Sequence, residues 1–206
     1  SKLHAGKKIL QSDIDSAEKI AKNIRIATPK TVSIENVREF ADHPELMDPI
    51  TEAFNASGYT WDVQIHNAAD YGAPMNRVRM IIRGVRDGEL PPVPKKTKPA
   101  DWFETIKDLI PDAPDSIFVS RGSGSMNWEL KRINRYVELG KLTLDKPILT
   151  MGGSASKGVP NASNAGDPGP SLASSERSVP RLIIPNKGKT VRITENGDVV
   201  DGTVKR

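Results

Sequence analysis

Between Asp13 and Ile26 the apolar positions Ile14, Ala17, Ile20, Ala21 and Ile24 recur at three- and four-residue spacing, which lays one stripe along a helix. Pro29 stops it. Thr31 to Ile34 then reads as a short buried strand, with Glu35 where it ends. A second amphipathic segment runs from about Pro49 to Asn55 and closes at the Gly58 turn. Tyr59 to Ile65 alternates as a strand, Tyr71 to Pro74 is a turn, and Val78 to Val85 is another strand, broken by Gly84. Helix, strand, helix, strand, turn, strand is the rhythm of an open α/β sheet. In such sheets chemistry gathers beyond the carboxyl ends of the strands, where Glu35 falls.

Past Glu89 the pattern changes. Residues 89–99 are proline-rich and basic and cannot continue a sheet. The spacing predicts helices over Trp102–Ile110 and Met126–Leu139, the second ending at Gly140 and carrying Lys131, Arg132 and Arg135 on its outer face. Gly152 to Ser175 is rich in Gly, Ser, Asn, Ala and Pro and reads as a long loop. Arg181–Ile184, Thr190–Thr194 and Val199–Val204 read as a small β-meander with turns at 185–188 and 195–198. The expected organisation is a domain over 1–92 followed by a mixed α+β region over 93–206.

Composition narrows the classes. Only 36% of residues are hydrophobic and 5% aromatic, so the core is modest. No segment approaches a membrane span or a signal peptide. The absence of cysteine excludes disulfides and thiolate metal sites, and cytoplasmic residence is the default expectation. His4, His43 and His66 lack metal-ligand spacing. No Gly-x-Ser-x-Gly elbow points to a serine hydrolase. Charge is uneven: residues 1–92 hold 12 Lys/Arg against 13 Asp/Glu, while residues 93–206 hold 18 against 13. A basic half beside a neutral one suits a nucleic-acid reader attached to a catalytic core, and it is also within ordinary surface variation.

The candidate chemistry is concentrated in Ile34-Glu35-Asn36-Val37 and in Asn67 to Arg79. Residues two apart on a strand share a face. Arg77 and Arg79 therefore project together while Val78 turns into the sheet. An acid and two fixed cations at strand edges are suited to gripping a polar planar ring from two sides. A strand-end carboxylate also serves as a solvated or capping group, Asn36 as a turn cap, and paired arginines as surface ion-pair partners.

Glu35-Asn36-Val37 after a strand, Asn67-Ala-Ala-Asp-Tyr-Gly-Ala-Pro, and Arg77-x-Arg79 before a strand together resemble the DNA (cytosine-5) methyltransferase family. The likeness covers roughly residues 1–86 and extends less firmly to Lys146–Thr150. It implies a partial Rossmann-like methyltransferase sheet followed by a target-recognition region. It further implies methyl transfer from S-adenosylmethionine to carbon 5 of a flipped cytosine in double-stranded DNA, with a cognate restriction endonuclease as a possible partner. Glu35 would hold or protonate N3 and touch the exocyclic amine, Arg79 would meet O2, and Arg77 would orient the site or meet a phosphate; Asn36 completes the implied set. The base must leave the duplex for this chemistry.

Departures from the family pattern shape the expectation. The glycine-rich cofactor motif and the Pro-Cys nucleophile of the family are absent. Ser1 is similar to the serine that ends the nucleophile motif, and Val204–Arg206 to the approach to a later helix. An internal fragment of a larger enzyme is expected, with a non-catalytic DNA-binding module of the same descent as the alternative. Met75 stands where the family usually has Gln, and methionine makes no comparable hydrogen bonds. Lys2, Lys7 and Lys8 would be phosphate contacts on a closing loop, or a frayed basic terminus. Ser120–Ser125, with Arg121, fits a phosphate cradle or a flexible linker. Arg121, Lys131, Arg132 and Arg135 complete the DNA-binding candidates.

Overall fold

The computed structural model describes residues 8–118, 127–151, 161–171 and 179–206. Two compact units divide the chain: Ser1–Ala68 with Arg77–Lys96, and Ala69–Asn76 with Thr97–Arg206. The 92/93 boundary read from the proline-rich run thus falls at 96/97, and a loop from within the first region joins the second.

In the first unit α1 (Gln11–Ala27) is followed by β1 (Thr31–Val37), α2 (Pro44–Ala56), β2 (Tyr59–Asn67) and β3 (Val78–Arg86). The Asp13 carboxylate accepts from Leu10 N at the start of α1, and Thr28, left-handed at φ 37°, closes its end ahead of Pro29. α2 begins five residues before the predicted start. Pro44 supplies the preset first-turn φ, and Pro49 lies inside the helix. Ala17, Ala21 and Ile24 of α1, Leu46, Ile50, Ala53 and Phe54 of α2, and Met80 and Ile82 of β3 form one buried cluster.

β1 also runs further than predicted. Its ladder with β3 continues through Glu35↔Ile81 and Asn36↔Met80 to Val37↔Arg79, so Glu35 is inside the strand and not at its end. The strand order is β1-β3-β2, and both neighbours of β3 are antiparallel to it. The fold is mixed α/β as expected, with an antiparallel strand between two parallel ones. β1 and β2 run in the same direction through α2, and β3 is inserted between them the other way. That insertion places the start of β3 at the same edge as the ends of β1 and β2. In an all-parallel sheet Arg79 would begin at the edge opposite to Glu35.

In the second unit α3 (Trp102–Ile106) passes into a 3-10 turn at Lys107, shorter than the nine-residue helix predicted. α4 (Trp128–Glu138) is capped by Asn127, whose side chain accepts from Glu129 N, and ends ahead of Gly140 at φ 66°. A four-stranded antiparallel sheet, β5-β4-β6-β9, is built from β4 (Ile148–Met151), β5 (Ala162–Asn164), β6 (Pro180–Pro185) and β9 (Gly202–Lys205). Ile148 and Ile183 pack with Leu130 and Ile133 of α4, whereas Leu149 and Leu182 pack with Trp102, so α4 and α3 cover opposite faces. The predicted meander is not formed. β6 pairs with β4 and β9, and β7 (Arg192–Ile193) pairs only with β8 (Val199–Val200). Buried Val191, donating to the Leu144 carbonyl, draws the chain away from β6 before β7 begins. Of the predicted 152–175 loop, residues 161–171 are described, and there the loop gives way to β5, Ala162–Asn164, which pairs with β4.

Candidate base-holding site

Strand alternation gives the first sheet two unlike faces. Val32, Ile34, Trp61, Val63, Met80 and Ile82 turn toward the helices. Glu35, Arg79, Arg83 and Asp62 occupy the other face. On that face Arg79 lies diagonally across from Glu35, one step along the ladder, within reach of long side chains. Arg79 Nε sits 2.7 Å from Glu35 Oε1, and an Arg77 terminal nitrogen sits 3.6 Å from the same oxygen. The structure therefore brings together the acid and both arginines.

The cluster is open to solvent: the side chains of Glu35 and Arg77 are 52% and 43% exposed, that of Arg79 21%. Ion pairs this exposed contribute about 0–1 kcal/mol to stability, so fold maintenance is a weak reason for three charges here. Arg79 is oriented twice over, because its Nη1 also donates to the Val78 carbonyl at 2.7 Å. Among the described residues Glu35 Oε2 and Arg79 Nη2 bond to nothing else, which leaves an acceptor and a donor at one strand edge.

Asn36 does not join them. Alternation turns it to the other face of β1, and its Oδ1 accepts from Val37 N at 2.8 Å, a purely local bond. Further along the polar face Arg83 and Asp62 face each other across β3 and β2 in a bidentate pair, at 3.0 Å from Nε and 2.6 Å from Nη2. The Arg83 hydrogen bonds hold the Asp62 carboxyl below its ordinary value, aided by Gln64 and opposed by burial.

Of the DNA-binding candidates, Lys2, Lys7 and Arg121 lie outside the described residues. Lys8 is exposed ahead of α1, and Lys131 and Arg135 are exposed on α4. Arg132 does not lie on the outer face of α4. Its Nη2 donates to Met151 O at 2.7 Å and to Thr150 Oγ1 at 3.3 Å, and its guanidinium stacks on Trp128 at 4.7 Å. Burial pushes the Arg132 guanidinium below its ordinary value. Arg132 thus caps the end of β4. A second interior pair escaped the sequence reading: Glu129, 2% exposed, receives Arg181 Nη1 at 2.6 Å, and Arg181 also lies over Phe118.

Met75 sits in the 69–76 loop. There Asn76 N donates to Gly169 O (2.7 Å) and Gly169 N to Pro74 O (2.8 Å), a short parallel bridge centred on Met75. Sequence reasoning placed Asn67 in a motif but assigned it no role of its own; its Oδ1 accepts from Arg77 N at 2.9 Å. No local signal distinguishes an Asn that serves a distant backbone from one that serves its own turn. Among the described residues no cluster of ligating side chains could hold a metal, and no helix is long and apolar enough to cross a membrane.

The family model for C-5 cytosine-specific DNA methylases matches residues 6–191. The chain belongs to the C-5 cytosine-specific DNA methylase family. It is 38% identical over 93 residues to Type II methyltransferase M.XorII of Xanthomonas oryzae pv. oryzae, covering 43% of this chain and 21% of that protein. It is 31% identical over 99 residues to Type II methyltransferase M.HhaI of Haemophilus parahaemolyticus, covering 47% of this chain and 30% of that protein. Over 117 residues it is 32% identical to Type II methyltransferase M.AgeI of Thalassovita gelatinovora, covering 45% and 27%. The chain thus spans less than a third of the length of these relatives.

Proposed function

We propose that the Glu35–Arg77–Arg79 cluster holds an extruded cytosine for methylation at carbon 5, as part of a DNA methyltransferase acting on double-stranded DNA. The observation that carries the reading is the shared Glu35 oxygen: an acid on β1 and two guanidinium groups, one just ahead of β3 and one within it, converge on one open edge. Glu35 Oε2 faces the N3 and exocyclic-amine edge of the ring, and the open side of Arg79 donates to O2. A nucleophile adding to carbon 6 pushes electrons toward N3 and O2. A hydrogen bond or proton at N3 and a fixed cation at O2 accept that charge, which makes carbon 5 nucleophilic. Loss of the carbon 5 proton after alkylation and departure of the nucleophile restore the ring.

The chain contains no cysteine, so the thiolate that adds to carbon 6 in the family reaction is not one of its residues. The methyl group in that reaction comes from S-adenosylmethionine. The end of β1 offers that donor no backbone cradle: it runs directly into a 3-10 turn, Arg38–Asp42, that contains no glycine. The part of this chain in the chemistry lies with the base. The exposed Lys131 and Arg135 contact phosphates, giving affinity without sequence information.

The test joins these residues to a segment that supplies a nucleophilic cysteine and a donor site, and follows labelled methyl transfer to duplex DNA. Glu35→Gln should lower the rate by roughly a hundredfold or more while duplex affinity, dominated by phosphate contacts, holds within about twofold. Equal losses in both would refute the role of Glu35. The 206 residues alone should transfer no methyl group, and transfer by them would refute the need for an outside thiolate. A joined protein that binds duplex and never methylates would identify a non-catalytic DNA-binding module of the same descent.

A further inference from the structure

We infer that Asn67 is a positioning residue of this site: its side-chain oxygen fixes the backbone of Arg77 and so sets the direction from which Arg77 reaches Glu35. Its meaning for the reaction rests on the base-holding reading above.

The argument starts from the ladder between β2 and β3. Their last registered pair is Asn67↔Val78, and beyond it the chain departs along residues 69–76 before returning at Arg77. In a regular antiparallel ladder the next pair would exchange two bonds between Ala68 and Arg77. Only one is made, from Ala68 N to Arg77 O at 3.0 Å. Ala68 opens a 3-10 turn, Ala68–Tyr71, which takes its carbonyl out of the ladder. Asn67 Oδ1 replaces that carbonyl and accepts from Arg77 N at 2.9 Å. Both main-chain polar groups of Arg77 are thereby bonded, although the residue lies outside the strand.

Arg77 needs this more than Arg79 does. The Arg79 guanidinium is tied to Glu35 and to the Val78 carbonyl, each at 2.7 Å. Arg77 approaches Glu35 only at 3.6 Å and is half exposed, so its side chain imposes little order on itself. Its placement is inherited from the backbone, and the backbone is held by Asn67. An acceptor on a short planar side chain is required. Aspartate keeps it in the same place, alanine removes it, and serine stops short.

The test uses the full 206-residue chain, labelled with nitrogen-15, and two readouts. Amide exchange at Arg77 should quicken by roughly three- to tenfold in Asn67→Ala, the effect of one lost hydrogen bond, and return toward the parent rate in Asn67→Asp. The second readout is emission from pyrrolocytosine placed opposite an abasic site in a duplex, which reports how the unpaired ring is held. Arg77→Ala and Asn67→Ala should change it alike, and the double variant no further. Unchanged exchange at Arg77, or emission effects that add, would overturn the inference. Altered exchange with an Arg77→Ala variant silent in emission would refute base holding by Arg77 and uphold Asn67 as its anchor. Should Asn67→Ala fail to fold, Asn67→Ser against Asn67→Asp carries the same comparison.

Discussion

Gly84 gives the first sheet a test in which the geometry fixes the size of the effect. It lies mid-β3, between Val32 and Trp61, where a side chain would normally be welcome. A Cβ built there would lie 2.5 Å from Cε1, 3.0 Å from Cδ1 and 3.2 Å from Cζ of Phe54. Comfortable carbon contacts need about 3.5–4.0 Å, so the ring would have to retreat by about 1 Å. It has nowhere to go: Phe54 is fully buried, edge-on to Tyr59 at 5.2 Å and stacked with Trp61 at 6.2 Å. Overpacking of this kind costs about 1–3 kcal/mol, and the rigid surroundings put Gly84→Ala at the upper end. Against it stands a gain of about 0.5–1 kcal/mol for replacing glycine inside a strand. The net expectation is a loss of about 2 kcal/mol, a factor of about 30 in the opening equilibrium of the unit. Amide exchange at Met80 and Ile82 measures it without interference from the second unit. Phe54→Leu supplies the control. With the ring gone, Gly84→Ala should cost nothing or stabilise, a coupling above about 1 kcal/mol. The same cost in both backgrounds, or a neutral Gly84→Ala in the parent, would refute the packing argument.

Three further outcomes follow from contacts elsewhere. Arg181→Met strands a buried Glu129 and should destabilise the second unit by about 3–5 kcal/mol, while Glu129→Leu with Arg181→Met recovers most of the loss; chemical denaturation followed through Trp102 reads both. Because Arg83 holds Asp62 below its ordinary 3.8, the pair stabilises fully above that value, and the contribution is lost as pH falls from there through the lowered folded value. Acid unfolding of Asp62→Asn should therefore be less steep below about pH 4 than that of the parent, and identical slopes would remove the pair from the account. Lys131→Ala with Arg135→Ala should weaken duplex binding and reduce the slope of log affinity against log salt by about 2; an unchanged slope means that α4 meets no phosphates.

The first half of the chain was legible because its signals are local. The stripe of Ile14, Ala17, Ala21 and Ile24 defines α1, and alternation through Tyr59–Ile65 defines most of β2. The antiparallel insertion of β3 is not written locally: strand direction follows from which partner a strand finds, and the Val78–Val85 pattern is the same either way. Glu35 was read at a strand end because the apolar run stops at Ile34, yet the ladder to β3 carries the strand to Val37. Charged residues misled for a related reason. On a helical wheel Arg132 looks like its neighbours Lys131 and Arg135, and only the arrival of Met151 and Thr150 turns it inward. β4 and β5, at four and three residues, are too short to carry a period. Asn67 shows the limit most plainly, since its partner is ten residues away and is a backbone amide.

The excursion of residues 69–76 has a consequence for modular exchange. The polypeptide passes between its two units at 68/69, 76/77 and 96/97, so a single cut at the proline-rich run does not separate them. A transplant of 97–206 into a relative would leave behind the short segment that bridges Gly169. The recipient's own loop would then have to seat on that glycine, where an added methyl would crowd Leu149, Trp102 and the Pro74 carbonyl. A graft that carries 69–76 along with 97–206 keeps the seat and its occupant together. The two splice points that flank 69–76 would then fall beside Asn67 and Arg77, so the Asn67–Arg77 hydrogen bond would have to survive the join.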